Sequence, residues 1–316
     1  MYLNPSANTW TCSPPINPTV EEFCRRLPEY NSTRLVSLPD LARDLGLGHV
    51  FVKDESFQLG LPAPKIPGAP WAVYRSVAAK VELPQTCTPH ELSISANTQG
   101  ITLVTCTDGN WGRAVARMAK YLRIPATVFV PQNMDQATKE RIAGEGARVS
   151  VVSGNYDEPI RAARKEADFE GSFGHDTSWS CYEEIPKWVV EGYSTMLTET
   201  DRQVQEQASK QAICVVTSVG VGSFAQSVVM HYKSRVPTAT VVTVEPETAA
   251  CLKTSLEVGK IMSVQYLHIH GVQASPCGAA PLSALKKSCE THASGPGPGS
   301  VVVLFSTEGS RTYSIT

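Results

Sequence analysis

The chain has 316 residues, 42% hydrophobic and 18% charged, which is apolar mass enough for one large domain or two lobes. A net charge of -2 and the lack of any basic run argue against a nucleic-acid or anionic-membrane partner. No apolar stretch is long enough to span a bilayer, and Met1-Tyr2-Leu3-Asn4-Pro5 lacks the basic and apolar parts of a secretion signal, so a cytoplasmic location is expected.

Residues 1–35 are rich in proline and asparagine and read as an arm laid over the body, with a short helix from Val20 to Leu27. Leu38 to Leu45 reads as a helix with Asp40 near its start and Gly46 at its end. His49-Val50-Phe51-Val52-Lys53-Asp54-Glu55 is a strand ending in charge. From Leu59 to Ala72 one lysine, Lys65, sits among prolines, glycines and small apolar residues. Such surroundings desolvate an ammonium and lower its pKa, as a Schiff-base lysine requires, although from that stretch alone a solvated loop lysine is the favoured reading. Gly68 and Pro70 open a helix that runs through Tyr74. Residues 83–100 are polar and turn-rich and read as a linker.

Strands and helices then alternate. The expected strands are 101–106, 126–130, 147–152, 213–217, 240–244 and 300–305. Between them the pattern predicts helices over 109–122, 135–143, 157–167, 185–197 and 223–232. β-branched runs separated by helices argue for parallel sheets covered on both faces. The nine cysteines have no C-x-x-C spacing and the histidines no H-x-x-x-H pair, so reduced, mostly buried thiols are expected, and no metal site.

Four strand ends carry candidate chemistry. Thr107-Asp108-Gly109-Asn110-Trp111-Gly112 places glycines, an amide and a carboxylate where open α/β sheets bind ligands; a helix start capped by Asp108 is the plainer alternative. Ser218-Val219-Gly220-Val221-Gly222-Ser223 makes an anion cradle at a helix start. It also matches G-x-G-x-x-A, with Glu245 ending the next strand twenty residues past Ala225, so a dinucleotide site is open beside a simpler phosphate site. Ser306 and Thr307 offer hydroxyls after the last strand, and His175-Asp176-Thr177-Ser178-Trp179 supplies a second carboxylate.

In order, P-A-x-K-x-x-G-A-x-W-A at 62–72, T-D-G-N-x-G-R-A at 107–114, D-T-x-W at 176–179, E-E-I-P-x-W at 183–188, E-G-Y at 191–193, G-V-G-S at 220–223 and S-T-E-G at 306–309 resemble the tryptophan-synthase-β-like, fold type II pyridoxal-phosphate enzymes. Within that group the order is most similar to that of the 2,3-diaminopropionate ammonia-lyases. The resemblance runs from about Phe51 to Gly259 and from about Gln273 to Gly309. The chain differs from the pattern in Pro64, Pro67 and Pro70 around the lysine, in Trp111 after Asn110, and in lacking most of a segment between the region of Lys260 and that of Ser275.

The resemblance implies an α/β fold of two lobes, each an open, mostly parallel sheet covered by helices. The large lobe would take 1–84 and 186–316 and the small lobe 85–185, with pyridoxal 5'-phosphate in the cleft. Lys65 would carry the cofactor as an imine and Asn110 would bond its phenolic oxygen. Gly220, Val221, Gly222 and Ser223 would hold its phosphate, and Thr307 would meet the pyridine nitrogen. Asp108 and Asp176 would each remove the α-proton of one substrate enantiomer. The implied activity is β-elimination of 2,3-diaminopropionate to pyruvate and ammonia by a homodimer acting on a small amino acid. Another pyridoxal-phosphate lyase or β-replacement enzyme on serine, threonine or a substituted alanine stays open. So do a catalytically degenerate homologue and, on Gly220, Gly222 and Glu245 alone, a nicotinamide oxidoreductase.

Overall fold

The computed structural model describes residues 4–13, 17–55, 68–107, 109–154, 157–170, 172–173, 184–220, 222–245, 250–258, 280–291 and 296–306. After a 3-10 turn at Pro5–Asn8, the first elements are α1 (Pro18–Arg26), β1 (Arg34–Ser37), α2 (Pro39–Asp44), β2 (His49–Asp54), α3 (Gly68–Lys80) and α4 (Pro89–Thr98). Next come β3 (Leu103–Cys106), α5 (Asn110–Leu122), β4 (Ala126–Pro131), α6 (Gln136–Ala143), β5 (Arg148–Val152), α7 (Asp157–Glu170) and β6 (Ser172–Phe173). The rest are α8 (Glu184–Gly192), α9 (Ser194–Ala208), β7 (Cys214–Ser218), α10 (Ser223–Lys233), β8 (Thr240–Val244), α11 (Cys251–Val258), α12 (Ala280–Thr291) and β9 (Val301–Ser306). They fall into two compact units, one of Met1–Pro15, Asn31–Pro64 and Met196–Thr316, the other of Ile16–Tyr30 and Lys65–Thr195. No helix of the described residues is long and apolar enough to cross a membrane.

The first unit holds a five-stranded sheet in the order β1-β2-β9-β7-β8. β9 runs parallel to both its neighbours, with Val50 opposite Val302 and Val216 opposite Leu304. Val301 to Phe305 are all buried, as a central parallel strand covered on both faces requires. Leu285 of α12 closes one apolar layer with Val50, Cys214, Val216, Val302 and Leu304. Only β1, at the edge, is antiparallel, with Arg34 opposite Asp54 and Ser37 opposite Phe51.

α9 covers that edge with polar side chains rather than apolar ones. Glu199, Gln203 and Gln207 recur every four residues and so share one helix face. Glu199 Oε1 accepts from the Thr33 N–H at 3.0 Å, Gln203 Nε2 donates to the Thr33 carbonyl at 2.8 Å, and Gln207 Nε2 donates to the Leu35 carbonyl at 3.2 Å. An edge whose backbone groups are taken up in this way is closed to pairing with another chain. Beneath the stripe lies Lys53, whose ammonium donates to Glu199, to the Thr33 carbonyl at 3.0 Å and to Gln203 Oε1 at 2.9 Å. Lys53 is 0% exposed and Glu55 1%, so two of the three charged residues ending the strand expected at 49–55 point into protein.

The second unit holds the all-parallel sheet β5-β4-β3-β6. α5 packs on β3 and β4, with the Trp111 indole against Thr105 of β3, and its Val115, Met118 and Leu122 are buried. α3 has nine buried residues out of thirteen, which fits a helix surrounded by α1, α4, α5 and α8 rather than one lying on a surface. Phe23 of α1 meets the Trp71 and Tyr74 rings at 5.4 and 4.5 Å, and the Trp71 indole N–H donates to Glu191 of α8 at 3.1 Å. Pro70 stands in the first turn of α3, where its missing N–H removes no helical bond.

The mostly parallel α/β class expected from the alternating pattern holds for both sheets. Three local expectations need correction. The stretch 83–100 is not a linker: it contains α4, whose start is a capping box of Thr88 and Glu91. The helix expected over 185–197 is two helices, α8 and α9, separated at Tyr193, and the second extends to Ala208. The arm at 1–35 departs from expectation only at its end, where Arg34 and Leu35 enter β1, while its helix α1 packs on α3.

The Lys53 cluster generates a pH-dependent stability. Thr33 Oγ1 lies 2.5 Å from Glu55 Oε1 and 3.2 Å from Glu199 Oε1. One hydroxyl carries one proton, so Thr33 can donate to Glu199 and accept from Glu55 when Glu55 is protonated. Burial, opposed by Lys53 and Thr33 and reinforced by Glu199 and Asp54, pushes the Glu55 carboxyl up to about 7. Its Oε2 has no hydrogen-bond partner among the described residues. The folded state therefore holds this proton more tightly than the unfolded chain does. The stabilisation is complete below the ordinary carboxylate value near 4.5 and is lost as pH rises through about 7. Its size is on the order of 3 kcal/mol. Glu55→Gln should flatten the fall in unfolding free energy between about pH 5 and pH 8 and be the more stable form at the upper end. Urea unfolding of both proteins across that window checks this, and parallel losses would clear Glu55 of the effect.

Candidate functional site

The turn after β7 is built from the residues outward. β7 is buried along its whole length, and the Val219 N–H extends its pairing by donating to the Val244 carbonyl at 2.8 Å. The chain then reverses into α10 at Gly222, whose φ of +104° lies in the left-handed region that favours glycine. Gly222 is the N-cap, and no side chain caps this helix start. A Cβ on Gly220 or Gly222 would meet no atom of the described residues within 4 Å. Glycines that allow close approach at a helix start are the features that binding of a phosphate monoester through backbone N–H groups requires. Ser223, the first residue of α10, is buried.

The far end of α10 is tied down. Asp201 of α9 accepts from His231 Nε2 at 2.6 Å and from Arg235 Nη1 at 2.7 Å. Burial alone would raise the Asp201 carboxyl, but the bonds and charges of His231 and Arg235 outweigh it and hold the group below the usual range.

In the second unit the corresponding turn follows β3. Asn110 is the first residue of α5 and is half-buried; Gly109 is the N-cap, and a Cβ on it would meet no atom of the described residues within 4 Å. Thr107 organises this turn by accepting the N–H groups of Gly109 at 2.9 Å and Gly112 at 3.1 Å on one hydroxyl. Gly112 is a packing glycine: a Cβ there would lie 2.3 Å from Thr107 Cγ2 and 2.8 Å from Val128 Cγ1. Trp111 is buried, and its indole N–H donates to Thr105 Oγ1 at 2.9 Å, so it serves the β3–α5 interface.

Of the residues singled out in the sequence, Gly220, Gly222 and Ser223 come together at the start of α10, and Asn110 stands at the start of α5. Lys65, Asp108, Asp176, Val221 and Thr307 lie outside the described residues. Glu245 has a different task from the ribose contact offered by the dinucleotide reading. Its carboxylate accepts the N–H groups of Leu252 at 2.9 Å and Lys253 at 2.7 Å, at the start of α11. The role of Thr107 was missed in the sequence, although a threonine ending a strand just before a glycine turn is a fair signal for it.

A family model described as pyridoxal-phosphate dependent enzyme matches residues 27–290. The chain is similar to the diaminopropionate ammonia-lyase of Salmonella typhimurium, 37% identical over 244 residues that cover 74% of this chain and 59% of the relative. It is 31% identical to the diaminopropionate ammonia-lyase of Escherichia coli K12 over 246 residues, 77% of this chain and 62% of the relative. The chain thus spans about three-fifths of the length of these relatives. Among solved structures, a crystal structure of the Escherichia coli diaminopropionate ammonia-lyase in complex with an aminoacrylate-PLP azomethine reaction intermediate matches with a TM-score of 0.80. That match has 25% identity and covers 92% of this chain and 88% of the other.

The Thr107 hydroxyl generates a prediction. Thr107→Val keeps the shape but leaves the Gly109 and Gly112 N–H groups without their acceptor, which should cost about 1–3 kcal/mol. Thermal unfolding should show the loss, and hydrogen exchange should localise it to the first turn of α5. A variant as stable as wild type would show that water serves those groups equally well.

Proposed function

The chain belongs to the pyridoxal-phosphate dependent enzymes, and from that premise we propose that it catalyses the β-elimination of 2,3-diaminopropionate to pyruvate and ammonia. The observation that carries this reading is the likeness to two diaminopropionate ammonia-lyases over about three-quarters of the chain. The uncapped glycine turn at α10 supports it, because it suits the cofactor's phosphate.

When bound, pyridoxal phosphate supplies the electron sink that makes loss of an amino acid's α-proton feasible. The chain's own residues would do the rest. Lys65 would hold the cofactor covalently through its amine. Gly220, Val221, Gly222 and Ser223 would bind the phosphate through backbone N–H groups and a hydroxyl. Asn110 would bond the phenolic oxygen. Thr307 would offer the pyridine nitrogen a hydroxyl rather than a carboxylate, which leaves that nitrogen largely neutral and favours elimination over transamination. Asp108 and Asp176 would each take the α-proton of one enantiomer, since one side chain cannot reach both faces of a planar adduct. The nine scattered cysteines, odd in number and without C-x-x-C spacing, suit a reducing compartment, the cytoplasm. The motif order carries the further expectation of a homodimer.

Two experiments test this reading. Purified protein should release ammonia and pyruvate from 2,3-diaminopropionate. Asp108→Asn and Asp176→Asn should each abolish release from one enantiomer and largely spare the other, with the cofactor spectrum intact in both. Protein that holds the cofactor yet yields ammonia only from serine or threonine would move the assignment to a dehydratase. Separately, Gly222→Asp places a β-carbon at φ +104° and a negative charge at the helix start, so pyridoxal-phosphate binding should fall by at least about a hundredfold. Retained affinity would remove this turn from the cofactor site.

A further inference from the structure

Behind the glycine turn lies a thiol that the proposed mechanism does not use. Cys251, the first residue of α11, places Sγ 3.3 Å from the Gly220 carbonyl oxygen, within reach of an S–H donor. Its side chain packs with Val219 and Ala225, one residue from each flank of the turn. The position of Cys251 is set from the other side by Glu245 at the end of β8. That carboxylate takes the N–H groups of Leu252 and Lys253, and its Oε2 also lies 4.0 Å from Cys251 Sγ.

We infer that Cys251 is a positioning residue for the phosphate turn: held by Glu245 at the start of α11, it donates its S–H to the Gly220 carbonyl and holds that carbonyl in one orientation. This rests on the reading of that turn as the cofactor's phosphate site. The physical chain is short. A peptide is planar, so pinning its carbonyl removes the freedom of the unit to rotate. A turn of glycines has more of that freedom to lose than any other sequence. An anion bound by backbone N–H groups gains most when those groups are already aimed. The thiol keeps its proton at neutral pH, because burial first, and then the Glu245 charge, raise it above its ordinary value. It is therefore a donor when the turn needs one. The contact also accounts for Glu245: an acidic residue at the end of β8 acts on the site through α11 instead of touching a ligand.

The test compares wild type, Cys251→Ala and Cys251→Ser. Two ligands are used, pyridoxal phosphate and pyridoxal, which shares the ring and aldehyde but lacks the phosphate. Loss of the bond should weaken pyridoxal phosphate by about fivefold in Cys251→Ala and leave pyridoxal unchanged. Cys251→Ser keeps a donor and should recover most of the difference. In the cofactor-free proteins, hydrogen exchange of the peptide spanning 219–226 should quicken by a similar factor in Cys251→Ala alone. Equal weakening of both ligands together with a lowered Tm would show a merely structural cysteine and overturn the inference. So would unchanged exchange and unchanged phosphate preference. Wild-type protein that preferred neither ligand would overturn the cofactor assignment of the turn, while exchange would still decide whether the thiol holds Gly220.

Discussion

An ammonium with no exposed surface must find its whole hydration shell in protein, and Lys53 is such a group. Its donors go to Glu199 and Gln203 of α9 and to the backbone just before β1. Removing one partner of a buried pair of this kind costs about 3–5 kcal/mol, because the other charge is left uncompensated. The constraint passes through the sheet in steps. Lys53 fixes β2 against α9, β2 aligns β9, and β9 aligns β7. The glycine turn that starts α10 hangs from the end of β7. α9 also holds α10 from its far end through Asp201 and His231. The proposed phosphate site is thus positioned from both ends of one helix.

The two ligand-type turns share one construction. In each, a buried parallel strand ends, glycines turn the chain, and a helix begins at a glycine N-cap. What steadies them differs. After β3 a hydroxyl in the turn itself, on Thr107, gathers two N–H groups. After β7 the polar contact comes from outside, through the thiol on α11. A turn that gathers its own donors presents fewer of them to a ligand than one supported from behind, which agrees with assigning the dianion to the second.

Much of this was legible in the sequence because the signals are local. The β-branched runs at 126–130 and 213–217 mark buried parallel strands, and the glycines at 109, 220 and 222 mark the turns. Thr88 and Glu91 were equally local, a capping box inside a polar stretch, and composition hid them. The Lys53 cluster was illegible for a physical reason. Lys53 and Glu199 are 146 residues apart, and a charged residue ending a strand looks solvated until its partner is known. Trp111 shows the same limit. The motif set it beside Asn110 as a departure at the site, whereas in the fold it donates into the core beside Thr105. Burial of an indole depends on which helix face meets the sheet, and that is decided by β3 and β4 together.

The strand order of the first unit has a consequence for how the chain is made. β9 occupies the middle of its sheet yet is the last of the described strands to be synthesised, and His49 must wait for Val301 to find its partner. All four strands of the other sheet have been translated by Phe173. A nascent chain can therefore complete one sheet early while the other exists only as two separate hairs of structure, β1 with β2 and β7 with β8, each with an unpaired inner edge. The α9 stripe shields the outer edge of β1, but β9 alone can close the gap within. The interval before β9 emerges is when this protein is most exposed to association with other chains and to capture by chaperones.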